Sequence, residues 1–267
     1  MEMCHVHVYA ASPARHHRLS SRAQHEPAHA QYGLQPIEPG RLPAFVDAAR
    51  LLNIRGCSIT IPHKIDIIPL LDKTSENVRE MGACNTLYRD GEKTCGENTD
   101  VIGFTAPLRK RSLSPETRVL VLGAGGVSRA AIAGLRRLGL ANITLTNRRK
   151  ERAEALCNEF GLLCAPWEER GDVPADLIIN TTPLGMTGAQ EHETPYPRAF
   201  QDNGIAYDLI YTPFQTRFLR DAAAAGWETV SGLDMFIGQG DAQFHLWTGH
   251  HLPEEAITAV TSALYGQ

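Results

Sequence analysis

Lys64 closes the stretch "SITIPHK" (58–64), where an alternating, strand-like run stops on a proline, a histidine and a lone lysine. A lysine in that position either sits in solvent or carries a proton at a reacting oxygen. The second role requires a pKa lowered by desolvation or by a neighbouring cation. Two more polar clusters interrupt an otherwise apolar frame: "GACNTLY" with Asn85 and Thr86, and "GENTDVIGF" with Asn98, Thr99 and Asp100. Asn98 can equally serve a turn, because short amide side chains favour turns. His63 is read as structural, and Asp208, further along, as a cap at a strand end.

A second chemistry is written in "VLVLGAGGVSRAAIAGL", which places Gly123, Ala124, Gly125, Gly126 and Val127 between a strand and a helix. Glycines there let the backbone turn tightly and approach a pyrophosphate, whose charge meets the exposed N–H groups at the helix start. Ser128 stands where the third glycine of G-x-G-x-x-G is expected, and it is small enough for close packing. After the second strand an acidic residue would hold a ribose 2′-hydroxyl, but the chain has Asn147, Arg148, Arg149 and Lys150. Helix starts prefer acidic residues by about 0.3–1 kcal/mol, so three cations set against that preference call for an anion. Arginine meets phosphate with two parallel bonds, and the cofactor is therefore read as NADP.

The elements that must position these residues follow from the pattern. From Arg118 the chain alternates "RVLVL", a glycine turn, "SRAAIAGLRRLG", "NITLTN" and "RRKERAEALCNEFG", the βαβα signature of a parallel sheet covered by helices. "ADLIIN" and "GIAYDLIY" continue it. Before it stand a helix at "LPAFVDAARLLN", a strand at "GCSITI" and a hairpin turning at "RDG". After it, two helical stretches without strands must pack on something already formed. The expected fold class is α/β: a split N-terminal α/β domain (1–101) completed by the C-terminal helices (234–267), around a Rossmann domain (102–233) with a parallel sheet.

The 267 residues are 43% hydrophobic and 21% charged, a globular composition, and the formal charge of −4 offers no broad cationic field for nucleic acid or an anionic membrane. No apolar run approaches the roughly 20 residues that span a bilayer. Six cysteines without a C-x-x-C pair read as reduced thiols, which places the protein in the cytoplasm. Cys4, His5 and His7 adjoin, but no fourth ligand closes a metal site, and the His-rich residues 1–31 read as a polar terminus. No metal is expected.

Together "SITIPHK", "GACNTLY", "GENTDVIGF", "GAGGVSRA", "NRR", "NTTPLGM", "YDLIYTPFQTRFL" and "GLDMFIGQGDAQF" resemble the shikimate dehydrogenase family in order and spacing, from about Tyr32 to Trp247. The resemblance implies an NADP-dependent oxidoreductase interconverting 3-dehydroshikimate and shikimate, acting as a monomer or homodimer. It implies Lys64 and Asp100 as catalytic residues, and Thr60, Asn85 and Gln239 as groups holding substrate hydroxyls. Tyr211 resembles the tyrosine near the substrate carboxylate. Thr181, Thr182, Met186 and Met235 resemble the walls around the nicotinamide.

One departure bears on the substrate. The family opens with a Gly-x-Pro loop and a Ser-x-Ser-Pro segment that binds the carboxylate, whereas "HVHVYAASPARHH" keeps Ser12 and Pro13 but has Ala10 at the first serine's place. Losing a hydrogen bond to a charged group costs about 1.5–3 kcal/mol. A paralogue of weak or altered specificity, acting on quinate or aminoshikimate, and an N-terminal sequence read in a shifted frame both account for it. From another class, an NADPH-sensing module without turnover also fits the cofactor half of the chain, although it has no use for a proton-handling pair.

Overall fold

The computed structural model of the protein describes residues 6–9, 33–35, 37–60 and 62–265. By its contacts the chain divides into two compact units, Met1–Thr99 with Gln243–His250, and Asp100–Ala242 with His251–Gln267.

The first unit is a six-stranded mixed sheet. Its elements are β1 (Val6–Tyr9), β2 (Gly33–Gln35), α1 (Leu42–Leu51), β3 (Gly56–Ser58), α2 (His63–Asp66), β4 (Lys73–Thr74), α3 (Glu76–Met81), β5 (Thr86–Asp90) and β6 (Lys93–Glu97). The strand order is β2-β1-β3-β5-β6-β4, antiparallel except where β4 runs parallel to β6. The hairpin expected at "RDG" joins β5 to β6, with Gly91 at a φ of 61° that suits glycine. Along α1, Leu42, Val46 and Ala49 recur at helical spacing and are buried, so that face closes on Cys57, Ile59, Ile67 and Leu87. In α3 the Ser75 hydroxyl accepts the Val78 N–H at the start, and Gly82 ends the helix in the left-handed region.

The second unit holds α4 (Thr99–Leu108), β7 (Val119–Leu122), α5 (Gly126–Arg137), β8 (Ile143–Thr146), α6 (Lys150–Phe160), β9 (Leu163–Cys164), β10 (Leu177–Asn180), β11 (Ile205–Asp208), α7 (Arg217–Ala224), β12 (Glu228–Val230), α8 (Gly232–Thr248) and α9 (Glu254–Tyr265). Thr99 of α4 and the last turns of α8 group with the first unit. The sheet is parallel throughout, in the order β12-β11-β10-β7-β8-β9. This is the doubly wound arrangement expected from the βαβα alternation. Every residue of β7 and β10 is buried, which explains why both read as unbroken apolar runs instead of alternating ones. Phe200, Phe218 and Trp227 fill the core beside β10 and β11, and Phe104 of α4 stacks on Tyr207 at 5.2 Å between ring centroids.

Strand order reverses between β7 and β10, so the crevice at their carboxyl ends is the position where such sheets bind ligands. Among the described residues no helix is long and apolar enough to cross a membrane.

Candidate active site

In the first unit the site is built around Asn85. Its Oδ1 accepts from Thr86 Oγ1 at 2.7 Å and from the Thr99 N–H at 2.8 Å, while its carbonyl accepts from the Ile59 N–H. Gln243 of α8, itself buried, donates from Nε2 to Thr86 Oγ1 at 3.0 Å and to Ser58 Oγ at 3.2 Å. A buried polar knot of this kind persists only because its members satisfy one another. Gln243 was not singled out from the sequence. Its signal was its place four residues after Gln239 on one helix, where i and i+4 share a face.

Lys64 is half-buried on α2, a single turn entered through Pro62, and its carbonyl accepts the Cys84 N–H at 2.7 Å. That bond ties the lysine's backbone to the residue preceding Asn85. Burial pushes the Cys84 thiol up to about 11, and Lys64 is among the charges acting in the opposite direction. His63 is fully buried and hydrogen-bonded to the Ile37 carbonyl at 2.7 Å, a structural role. Thr60, half-buried, accepts the His63 N–H at its carbonyl and so starts the turn that carries Lys64. Asn98 donates to the Ala83 carbonyl, the turn duty its type suggests. Glu97 gathers Ser75 Oγ, Asn77 Nδ2 and the Asn98 N–H on one carboxylate oxygen. Ser12, Cys4 and His5 lie outside the described residues.

In the second unit the glycine turn follows β7 as expected. Gly123 has a φ of 117°, and a Cβ there would collide with the Thr181 hydroxyl. Gly125 and Gly126 differ: a Cβ on either meets no protein atom within 4 Å, so the space in front of the turn is open. Ser128 does more than fit. Its Oγ accepts the Gly125 N–H at 2.9 Å and pairs with Thr181 Oγ1 at 2.7 Å, bracing the turn against the 181–186 segment. Asn147 braces it from the other side, accepting the Ala124 N–H and donating to the Arg149 carbonyl.

A cavity of about 300 Å³ opens at the turn, lined by Ala124, Gly125, Gly126, Arg129, Arg152 and Leu156 among others. Arg129 is held by Glu159 in a two-bonded pair, which keeps the guanidinium above its usual range and occupies it. Lys150 pairs with Glu154 at 3.6 Å. Arg148, Arg149 and Arg152 are exposed and have no carboxylate partner among the described residues, so cations stand uncompensated beside an open glycine cradle. This fits a dinucleotide carrying an extra phosphate. Arg152 was missed from the sequence, although its place in the first turn of α6 sets it two residues after the basic run.

Thr181 and Thr182 are half-buried, Met186 is about half exposed, and Val127 is half-buried on α5. Met235 is buried on α8, whose backbone lies so close to α4 that a Cβ on Gly103 would come within 3 Å of the Met235 carbonyl and the Gln239 backbone. Gln239 and Asp100 are half-buried. Tyr211 is 42% exposed and stacks on Phe236 at 5.1 Å, and its carbonyl accepts the Tyr265 hydroxyl of α9.

Comparison with known proteins agrees along the chain. Residues 6–87 match the model of the shikimate dehydrogenase substrate binding domain, residues 108–169 that of shikimate/quinate 5-dehydrogenase, and residues 232–260 that of the shikimate 5′-dehydrogenase C-terminal domain. A shikimate dehydrogenase (NADP(+)) of Pelobacter propionicus is 56% identical over 231 residues, covering 85% of this chain and 83% of that protein. One of Oleidesulfovibrio alaskensis is 48% identical, covering 88% and 85%. The solved shikimate 5-dehydrogenase of Thermus thermophilus, in complex with NADP(H) and shikimate, superposes with a TM-score of 0.72 at 35% identity, over 90% of this chain and 85% of that one.

Proposed function

This chain belongs to the shikimate dehydrogenase family, and from that premise we infer that it is an NADP-dependent oxidoreductase interconverting 3-dehydroshikimate and shikimate, with Lys64 and Asp100 handling the proton of the reacting hydroxyl. Taking a hydride from a secondary alcohol carbon leaves a proton on its oxygen, which a side chain must receive and return in the reverse direction. NADP, when bound, supplies the hydride acceptor. Between them Lys64 and Asp100 receive and return that proton, and the lysine side chain stabilises the developing alkoxide. Thr60, Asn85 and Gln239 hold the ring hydroxyls, Ser12 and Tyr211 the carboxylate.

Gly123, Ala124, Gly125, Gly126 and Val127 present backbone to the pyrophosphate, and Arg148, Arg149 and Asn147 take the adenosine phosphate. Thr181, Thr182, Met186 and Met235 flank the nicotinamide. The substrate domain is read as residues 1–101 and 234–267 and the cofactor domain as 102–233. The compact units part after Thr99, close to the first of those boundaries, but of the 234–267 stretch only 243–250 groups with the first unit, while 234–242 and 251–267 group with the second. We place the enzyme in the cytoplasm, where its free thiols stay reduced, as a monomer or homodimer with a cyclic hydroxy acid as substrate and neither nucleic acid nor membrane as partner.

The observation that carries the catalytic assignment is the placement of Lys64: it is half-buried on a one-turn helix, and its carbonyl is bonded to the residue before Asn85, the centre of a buried polar knot. The test is NADPH formation with shikimate, quinate and aminoshikimate, comparing wild type with Lys64→Ala. Shikimate should give the largest kcat/KM, and Lys64→Ala should lower kcat by at least about 100-fold with little change in KM, the mark of a group acting in the transition state. A rise in KM at constant kcat would reduce the lysine to ground-state binding. Cofactor binding without turnover of any of the three acids would favour a sensing module.

A further inference from the structure

Asp208 ends β11 with no exposed surface, and both of its carboxylate oxygens are taken by protein donors. Oδ1 accepts from Asn180 Nδ2 at 3.0 Å and from the Ile210 N–H at 3.0 Å, and Oδ2 accepts from Thr216 Oγ1 at 2.6 Å. None of these partners is a cation. A buried carboxylate without a counter-charge is a costly way to end a strand, and capping does not explain it, since Thr216 alone caps α7 by accepting the Leu219 N–H.

What a two-oxygen acceptor does here is join three stretches at one point. Asn180, fully buried at the end of β10, passes the connection on: its Oδ1 accepts both the N–H and the hydroxyl of Thr182, and its Nδ2 also donates to the Leu184 carbonyl. The neighbouring Thr181 reaches Ser128 and thereby the glycine turn. From the other oxygen's side, the Ile210 N–H and Thr216 hold the two ends of the 209–215 loop that carries Tyr211. Two backbone bonds lace the segments together, Leu209 N–H to the Asn180 carbonyl and Thr187 N–H to the Thr212 carbonyl, both at 3.0 Å.

Building on the reading that the 181–186 segment flanks the nicotinamide and that Tyr211 meets the substrate, we propose that Asp208 is the positioning residue that fixes both segments in the arrangement hydride transfer needs. It touches neither ligand. Its effect reaches the reaction through Asn180 and Thr216, and a misplacement of about 1 Å in such groups can cost on the order of 100-fold in rate.

The experiment uses the full chain, with NADPH formation from shikimate giving kcat and KM, and protein fluorescence titration giving the Kd for NADP. Asp208→Ala is expected to lower kcat by at least about tenfold while the NADP Kd moves by less than about twofold, because Asn147 still braces the glycine turn from its other side and the arginines lie outside the Asp208 network. Asp208→Asn keeps the Oδ1 acceptor and should fall between wild type and Asp208→Ala. Thr216→Val cuts only the Oδ2 limb and should lower kcat a fewfold, so it decides the matter if Asp208→Ala does not fold. Unchanged kcat in both Asp208→Asn and Thr216→Val overturns the proposal, as does a fall in kcat matched by an equal loss of NADP affinity, which marks general damage to the unit. A wild type that binds NADP but does not oxidise shikimate refutes the functional reading instead, before any variant is compared.

Discussion

A carboxyl group shut away from water holds its proton to higher pH than one in an unfolded chain. Burial raises Asp208 from 3.8 to about 7, against the opposing pull of its hydrogen bonds from Thr216, Ile210 and Asn180. Between those two values the folded protein binds a proton that the unfolded chain has released, so this residue's contribution to stability is greatest below the unfolded value and is lost as pH rises through about 7. Asp208→Asn carries no such proton. Urea unfolding of both proteins at pH 5, 6, 7 and 8 should therefore show wild type losing ground to the variant as pH rises, by at most about 1.4 kcal/mol per pH unit, the slope of a single proton. A difference that stays flat across the series would mean that Asp208 remains ionised throughout.

At several places in this fold elements meet closely because a side chain is missing. Gly56 of β3 is such a place: the Trp247 indole of α8 lies over it and donates to the Leu87 carbonyl at 3.0 Å, and a Cβ on Gly56 would overlap the indole and lie 2.6 Å from that same carbonyl. Gly56→Ala should therefore unseat the end of α8 and destabilise the protein by about 1–3 kcal/mol, read as a lower thermal midpoint. An unchanged midpoint would show that Trp247 can move aside freely. The elements themselves were legible in the sequence, since β7 and β10 are unbroken apolar runs and α1 repeats its buried residues at helical spacing. The glycine turn was legible for the same local reason: strand, glycines and helix are adjacent in the chain. Gln243 was not, because its partners lie far away in sequence, and neither was the Asp208 knot, which needs Asn180 of another strand to close it. Nothing near Gln243 announces Ser58 or Thr86, and an aspartate within "YDLIY" looks like a strand end until Asn180 and Thr216 fold against it. Ser128 was read as a tolerated substitute for glycine, yet its hydroxyl is part of the brace, a role visible only once Thr181 is beside it.

At the scale of the whole molecule, charge sets a problem for the cofactor. The chain carries a formal charge of −4, which repels an anionic dinucleotide at long range, and on the proposed assignment recognition therefore falls to the local cluster of Arg148, Arg149 and Arg152. Salt reaches about 8 Å with its screening at 0.15 M, and exposed arginines lie fully within its influence. The Kd for NADP should accordingly rise steeply between 0.05 and 0.5 M NaCl, while that for NAD, which lacks the 2′-phosphate, rises less. Arg148→Ala should weaken NADP by about tenfold or more at low salt, as expected for one charge-assisted contact of about 1.5–3 kcal/mol, leave NAD nearly unchanged, and flatten the salt dependence of NADP toward that of NAD. Fluorescence titration of both cofactors against both proteins measures all three effects at once. Equal losses for NAD and NADP would place Arg148 on the pyrophosphate and leave the 2′-phosphate to Arg149 and Arg152. An NADP affinity indifferent to salt would mean that the phosphate is held by backbone N–H groups, with the exposed arginines playing no part.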